Sequence, residues 1–225
     1  MTRLRPTTHV IFDMDGVLLD TERLYTAATQ QIVGRYGKTF DWTVKADMIG
    51  RPAHESARHL VEALDLPITA QDYLAEREVI FETLMPTAQA REGARELVED
   101  LVMAQVPQAV ATSSAQRVFA LKTRRHGDWF AHFASIVCGD DPRCRHGKPA
   151  PDIFLLAADE LGVAPASCVV IEDSPVGIAA ARAAGMQVVA APDPAMDRAR
   201  YADADLIVDS MTVLSAAILT GRASV

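Results

Sequence analysis

The chain has 225 residues, 49% hydrophobic and 23% charged, with 30 Asp plus Glu against 22 Lys plus Arg for a formal net charge of −8. Such a composition supports a substantial buried core and excludes disordered, collagen-like and coiled-coil classes. The acidic balance, with no lysine or arginine run, speaks against a nucleic-acid polymer as partner, and three cysteines, Cys138, Cys144 and Cys168, are too few for a disulfide framework and fit a cytoplasmic location.

The first predicted element is a strand over His9 to Phe12, which delivers Asp13 and Asp15 and then turns at Gly16. These acids interrupt the apolar stretch behind the basic Met1 to Pro6 segment too soon for a secretory signal core. No stretch approaches the roughly 20 apolar residues that cross a bilayer, so no membrane partner is expected. From about residue 21 the pattern turns helical, with amphipathic periods over Tyr25 to Tyr36, Ala53 to Leu64 and Ala70 to Leu84 and no strand. Short β-branched or apolar runs then recur at Ala109 to Ala111, Ile136 to Cys138, Val169 to Ile171, Val188 to Ala190 and Leu206 to Val208. Helical stretches separate most of them, as at Pro151 to Leu161, where Ile153, Phe154, Ala157 and Leu161 share one side and Gly162 follows. This alternation predicts an α/β fold: a doubly wound, Rossmann-like parallel sheet with an inserted α-helical cap domain. The expected division is an α/β core at residues 1–20 and 87–225 and a helical cap at residues 21–86. An insertion there lies beside the carboxyl end of the first strand, where open α/β sheets bind ligands, and is a candidate lid.

Chemistry concentrates where these strands end. In Val10-Ile11-Phe12-Asp13-Met14-Asp15-Gly16 a buried strand brings two acids to a turn. Carboxylates so close raise one another's pKa unless a cation or protons intervene, and hard oxygen ligands suit Mg²⁺; an ordinary solvated turn is the plain alternative. A second acid pair, Glu172-Asp173, follows the strand Val169 to Ile171, so both pairs would face one sheet edge and could share a divalent ion. Ser174 and Pro175 read as an N-cap and a first helical residue, with Gly185 as the stop. Thr112, Ser113 and Ser114 end another strand, and Lys148 precedes a helix start. Singly these are capping and surface residues; together, at successive strand ends, they make a phosphate cradle. Cys138, Cys144 and His146 match no zinc spacing strongly and read as structural. Asp20 reads as a helix N-cap at the hinge into the insertion.

Taken in order, Asp13-Met14-Asp15-Gly16-Val17-Leu18-Leu19-Asp20, Thr112, Lys148-Pro149-Ala150-Pro151-Asp152 and Glu172-Asp173-Ser174 with Gly177 and Ala181 to Gly185 resemble the four motifs of the haloacid dehalogenase-like hydrolases over essentially the whole chain. The helical insertion is similar to that of the branch holding β-phosphoglucomutases and small sugar-phosphate phosphatases. Asp13 to Tyr25, with Gly139 to Pro142 and His146 to Pro149, is similar to pseudouridine-5′-phosphatases. The resemblance implies an enzyme, a Mg²⁺-dependent phosphatase acting on a small phosphorylated metabolite through an aspartyl-phosphate intermediate. The substrate would be a nucleoside or sugar phosphate, pseudouridine 5′-phosphate being one candidate, and no obligatory protein partner is evident.

By the same resemblance Asp13 would be the nucleophile and Asp15 the general acid and then base. Asp13, Asp15 (through its backbone carbonyl) and Asp173 would ligate Mg²⁺, with Glu172 a water-mediated ligand or a support. Thr112, Ser113 and Lys148 would bind the phosphate, and Lys148 would also neutralise Asp13. Apart from the resemblance, a glycine loop can approach the core site closely, so Gly50 and Arg51 are expected to reach the substrate from the cap, ahead of His54 and His59 on a cap helix. Asp15 favours phosphoryl transfer over carbon–halogen cleavage, because haloacid dehalogenases lack an acid at that position. The alternative is a phosphosugar mutase on the same motifs. Tyr25 where β-phosphoglucomutases carry His, and Ala53 where they carry Arg, favour the phosphatase. A non-catalytic ligand-binding protein is the third reading, and the presence of both nucleophile and lysine weighs against it.

Overall fold

The structure, a computed structural model, describes residues 3–48 and 53–225. Strand β1 (His9–Phe12) is followed by the short β2 (Leu19–Asp20) and then by helices α1 (Glu22–Val33), α2 (Trp42–Met48), α3 (Ala53–Ala63) and α4 (Ala70–Leu84). The chain continues through β3 (Gln89–Ala90), α5 (Ala94–Met103), β4 (Gln108–Thr112), α6 (Gln116–Thr123), α7 (Gly127–Phe130) and β5 (Ser135–Cys138). It ends with α8 (Asp152–Glu160), β6 (Cys168–Glu172), α9 (Pro175–Ala183), β7 (Gln187–Ala190), β8 (Leu206–Ile207) and α10 (Ala216–Leu219).

Six strands form one parallel sheet in the order β5-β4-β1-β6-β7-β8. Side chains alternate across it, and both faces are covered. Val10, Phe12, Val110, Val169 and Ile171 join one apolar cluster with α5 and α7, whereas Ile11, Ala109, Ala111, Val170 and Val188 join another with α8 and α9. A parallel sheet buried on both faces reads as continuous apolar runs, which is why its strands were visible as such. Central β1 is in register with both neighbours, Phe12 lying opposite Val110 of β4 and Ile171 of β6. That register carries Asp13, the end of β4 and the Glu172-Asp173 pair to one edge; a one-residue slip would turn every side chain to the opposite face.

Helices α1 to α4 build a third apolar cluster from Ile32, Val33, Phe40, Ala57, Leu60, Leu66 and Tyr73, while Leu24, Ala28 and Phe81 of α1 and α4 pack into the sheet's first cluster. Helix α4 starts at a full capping box between Thr69 and Asp72. Helix α9 starts as its sequence signals indicate, with the Ser174 side chain accepting from the Gly177 amide and Pro175 in the first turn.

Three local expectations change. Helix α2 is absent from the periodicity reading because none of its residues is fully buried: Val44 and Met48 pack partly exposed against the third cluster, and two residues are too few to show as an apolar stripe. An antiparallel ribbon, β2 with β3, closes the chain on either side of the helical segment, each strand being too short to display a period of two. Thr21, not Asp20, is the N-cap of α1, and its side chain makes no cap bond because its hydroxyl is turned to Asp15; Asp20 lies in β2 and pairs with Arg23 at 3.0 Å.

Candidate active site

A cavity of about 610 Å³ lies between the carboxyl edge of the sheet and the helical segment. Asp13, Asp15, Lys148, Glu172 and Asp173 line its floor, and Tyr25, Trp42, Lys45, Tyr73, Arg77 and Glu78 line its other side. Asp13 is placed by continuing the β1 ladder, its amide donating to the Ile171 carbonyl at 2.9 Å. The chain then turns tightly. Gly16 takes a left-handed φ of 75°, its amide donates to the Leu19 carbonyl, and Arg91 ties the Gly16 carbonyl to that of Ala191. A Cβ at Gly16 would sit 1.9 Å from Asp173 Oδ2, so the glycine is what lets Asp173 close against the first acidic turn.

The Lys148 ammonium, buried in the floor, donates to Asp13 Oδ1 at 2.6 Å, Glu172 Oε1 at 2.7 Å and the Ala111 carbonyl at 3.3 Å. Glu172 is as fully engaged on its other oxygen, Oε2 accepting from the amides of Asp173 and Ser174 at 2.8 Å each and from the Ser174 hydroxyl at 3.0 Å. This filled carboxylate faces Lys148 and the start of α9. Gly177 leaves room for it, since a Cβ there would lie 1.7 Å from Oε1. Tyr201, wholly buried, donates to the Asp173 carbonyl at 2.9 Å.

Burial, reinforced by Glu172 and Asp15 and opposed by Lys148, pushes Asp13 up to about 7. Burial together with Glu172 and Asp13 holds the Asp173 carboxyl well above its ordinary range. Two carboxyls that resist ionisation side by side fit a small divalent cation. Among the described residues no three His, Cys, Asp or Glu side chains converge as a ready-made metal cage. Two carboxylates with room for water and phosphate oxygens is nevertheless the kind of set Mg²⁺ takes, because it dehydrates reluctantly.

Asp15 stands in a different environment. Its Oδ1 accepts from Thr21 Oγ1 at 2.6 Å and Lys122 Nζ at 2.5 Å, and its Oδ2 from Ser114 Oγ at 2.9 Å. Burial alone would raise it, but the Lys122 charge and these hydrogen bonds prevail and hold it below its ordinary value. The sequence reading missed Lys122, whose only local signal is a lysine in the apolar run Val118-Phe119-Ala120-Leu121. It also missed Arg77, which packs over the rings of Tyr73 and Phe81 at 5.8 and 5.0 Å.

Thr112, expected at the phosphate, is fully buried; its hydroxyl accepts from the Ser114 amide at 3.1 Å and lies 3.5 Å from Asp15 Oδ2. The hydroxyl residues that line the cavity at this strand end are Ser113 and Ser114. Gly50 and Arg51 lie outside the described residues. From α3 the cavity is lined by Ala53 and Ser56, while His59 faces Asp47 at 3.8 Å.

Comparison with known proteins shows what the chain is similar to. The family model for haloacid dehalogenase-like hydrolases matches residues 7–185. The (DL)-glycerol-3-phosphatase 2 of Arabidopsis thaliana is 44% identical over 209 residues, covering 91% of this chain and 87% of its own. A probable pseudouridine-5′-phosphatase of Drosophila melanogaster is 44% identical over 211 residues, covering 92% and 91%. The crystal structure of a HAD family hydrolase from Deinococcus radiodurans R1, with bound phosphate and sodium, is similar with a TM-score of 0.75 at 30% identity, covering 93% of this chain and 94% of that one.

Proposed function

The chain belongs to the haloacid dehalogenase-like hydrolases, and we propose that it is a Mg²⁺-dependent phosphatase of small phosphorylated metabolites that works through an aspartyl phosphate on Asp13. The observation that carries this reading is Lys148, bonded at once to Asp13 and Glu172 on the floor of a metabolite-sized cavity. Asp13 attacks phosphorus, and the resulting acyl phosphate is open to water. Lys148 neutralises the nucleophile and the transferring oxygens, and its bond to Glu172 keeps the ammonium aimed there. Ser113 and Ser114 add hydroxyls at the same edge. Asp15, held as a carboxylate by Lys122, first takes the proton carried by the phosphate monoanion, passes it to the departing alkoxide, and then takes a proton from the attacking water. Asp13, Asp173 and the Asp15 carbonyl would hold Mg²⁺, which supplies positive charge against the phosphoryl oxygens during transfer.

Residues 21–86 act in this reading as a cap over the core of residues 1–20 and 87–225, supported by a cavity with walls from both. Closure excludes bulk water from the phosphoenzyme. The leaving group is a polyol, sugar or nucleoside, glycerol 3-phosphate and pseudouridine 5′-phosphate being the candidates that the relatives' names suggest. No helix among the described residues is long and apolar enough to cross a membrane, and a cytoplasmic setting suits the three free thiols. Against a mutase, Tyr25 occupies the position of the mutase histidine and its hydroxyl accepts a hydrogen bond from Lys122.

The test is phosphate release from a panel of glycerol, sugar and nucleoside monophosphates, with Mg²⁺ or EDTA, by wild type and Asp13→Asn. Magnesium-dependent release that the variant loses by at least about 10³-fold is expected. Isomerised sugar phosphate without phosphate release would overturn the reading in favour of a mutase.

A further inference from the structure

Lys122 is one of the largest fully buried side chains of the protein, and its ammonium is wholly inside. Removing a lysine from water costs several kcal/mol unless its charge and all its donors are matched. They are matched here without remainder. An ammonium has three N–H donors, and Nζ has three partners: Asp15 Oδ1 at 2.5 Å, Ser114 Oγ at 2.7 Å and Tyr25 Oη at 2.8 Å. All three partners line the cavity. With no donor left for a ligand and no exposed surface, Lys122 reaches the chemistry only through these neighbours. The neighbour of opposite charge is Asp15.

The three partners come from different parts of the chain. Asp15 follows β1, Ser114 follows β4, and Tyr25 is on α1 of the helical segment, with Lys122 itself on α6. Tyr25 is held in place by Phe81 of α4, the rings meeting edge to face at 5.2 Å. The direction of the Asp15 carboxylate is thereby tied to the seating of α1 and α4 over the core.

We propose that Lys122 is a positioning residue for Asp15: anchored by Tyr25 and Ser114, its ammonium fixes the carboxylate's direction and links that direction to the placement of the helical segment. The inference rests on the reading that Asp15 serves the leaving-group oxygen. It predicts a dependence on the leaving group that a merely structural lysine would not produce.

The test compares kcat/KM for an alkyl phosphate, glycerol 3-phosphate, with that for p-nitrophenyl phosphate. This ratio reports transfer to Asp13, and an aryl leaving group needs little protonation there. Lys122→Met is expected to lose about 10²-fold on the alkyl ester and under about fivefold on the aryl ester. Tyr25→Phe, which keeps the lysine, should show the same selective loss at smaller size. Adding Lys122→Met to Asp15→Asn should cost the alkyl ester little beyond Asp15→Asn alone, because residues that act as a unit are not additive. Should Lys122→Met fail to fold, Tyr25→Phe and the double variant, which removes both charges, decide the matter. Equal losses on both esters in the folded variants, or additive losses in the double variant, would overturn the inference while leaving the phosphatase reading standing. A wild type that hydrolyses neither ester nor any other phosphate in the panel would overturn both.

Discussion

The floor of the cavity has two halves, each built on one aspartate and one buried lysine, and they respond to burial in opposite ways. In the first, Lys148 is shared between Asp13 and Glu172, with Asp173 close by, and burial, reinforced by Glu172 and Asp15 and only partly opposed by Lys148, pushes Asp13 up to about 7. In the second, Lys122 faces Asp15 as its sole carboxylate partner, with Thr21 and Ser114 adding donors, and Asp15 is held low. Two residues of one type, separated by one methionine, thus acquire different properties from what surrounds them. The half with surplus negative charge suits a cation and an anionic ester; the balanced half suits a group whose direction has to be fixed.

After Asp13→Asn itself, the largest expected effect breaks the first half. Lys148→Ala should lower kcat by at least about 10²-fold through lost charge stabilisation, and should destabilise the fold by roughly 3–5 kcal/mol because Asp13 and Glu172 remain buried without their partner. Denaturant unfolding with phosphate-release kinetics separates the two losses. Gly177→Ala should be next, since its Cβ would meet Glu172 Oε1 at 1.7 Å. Overpacking there should cost roughly 1–3 kcal/mol and reduce turnover by moving the glutamate that aims Lys148.

A pH experiment sharpens the comparison without a mutation. Asp13 has an ordinary value of 3.8 and a folded value of about 7, so between these the metal-free folded state binds more protons than the unfolded chain and loses stability as pH rises. A divalent cation competes with those protons. Mg²⁺ should therefore raise the melting temperature more at pH 8 than at pH 5.5, as thermal scans would show, and an equal shift at both would remove Asp13 from the cation site. The smallest effect should come from Arg117→Ala, which touches neither half. It breaks exposed pairs with Glu78 and Glu82 of α4, and its small change in melting temperature should fade further with added salt.

Much of this architecture was legible in advance because its causes are local. Buried strands show as apolar runs, Ser174-Pro175 announces a helix start, and acids directly after a strand have to emerge at the sheet's carboxyl edge. Helix α2 and the β2–β3 ribbon were not legible, the first because two partly exposed residues, Val44 and Met48, make too weak a stripe and the second because two residues make no period. The sequence by itself determined the six parallel strands and the presence of Asp13, Asp15, Lys148, Glu172 and Asp173 at one edge. Only the tertiary structure decided that Glu172 turns to Lys148 and the start of α9, and that a lysine 107 residues from Asp15 becomes its counter-charge. Hydrophobic period and capping act within a few residues along the chain, whereas a buried charge finds its partner through space, wherever the packed elements bring one.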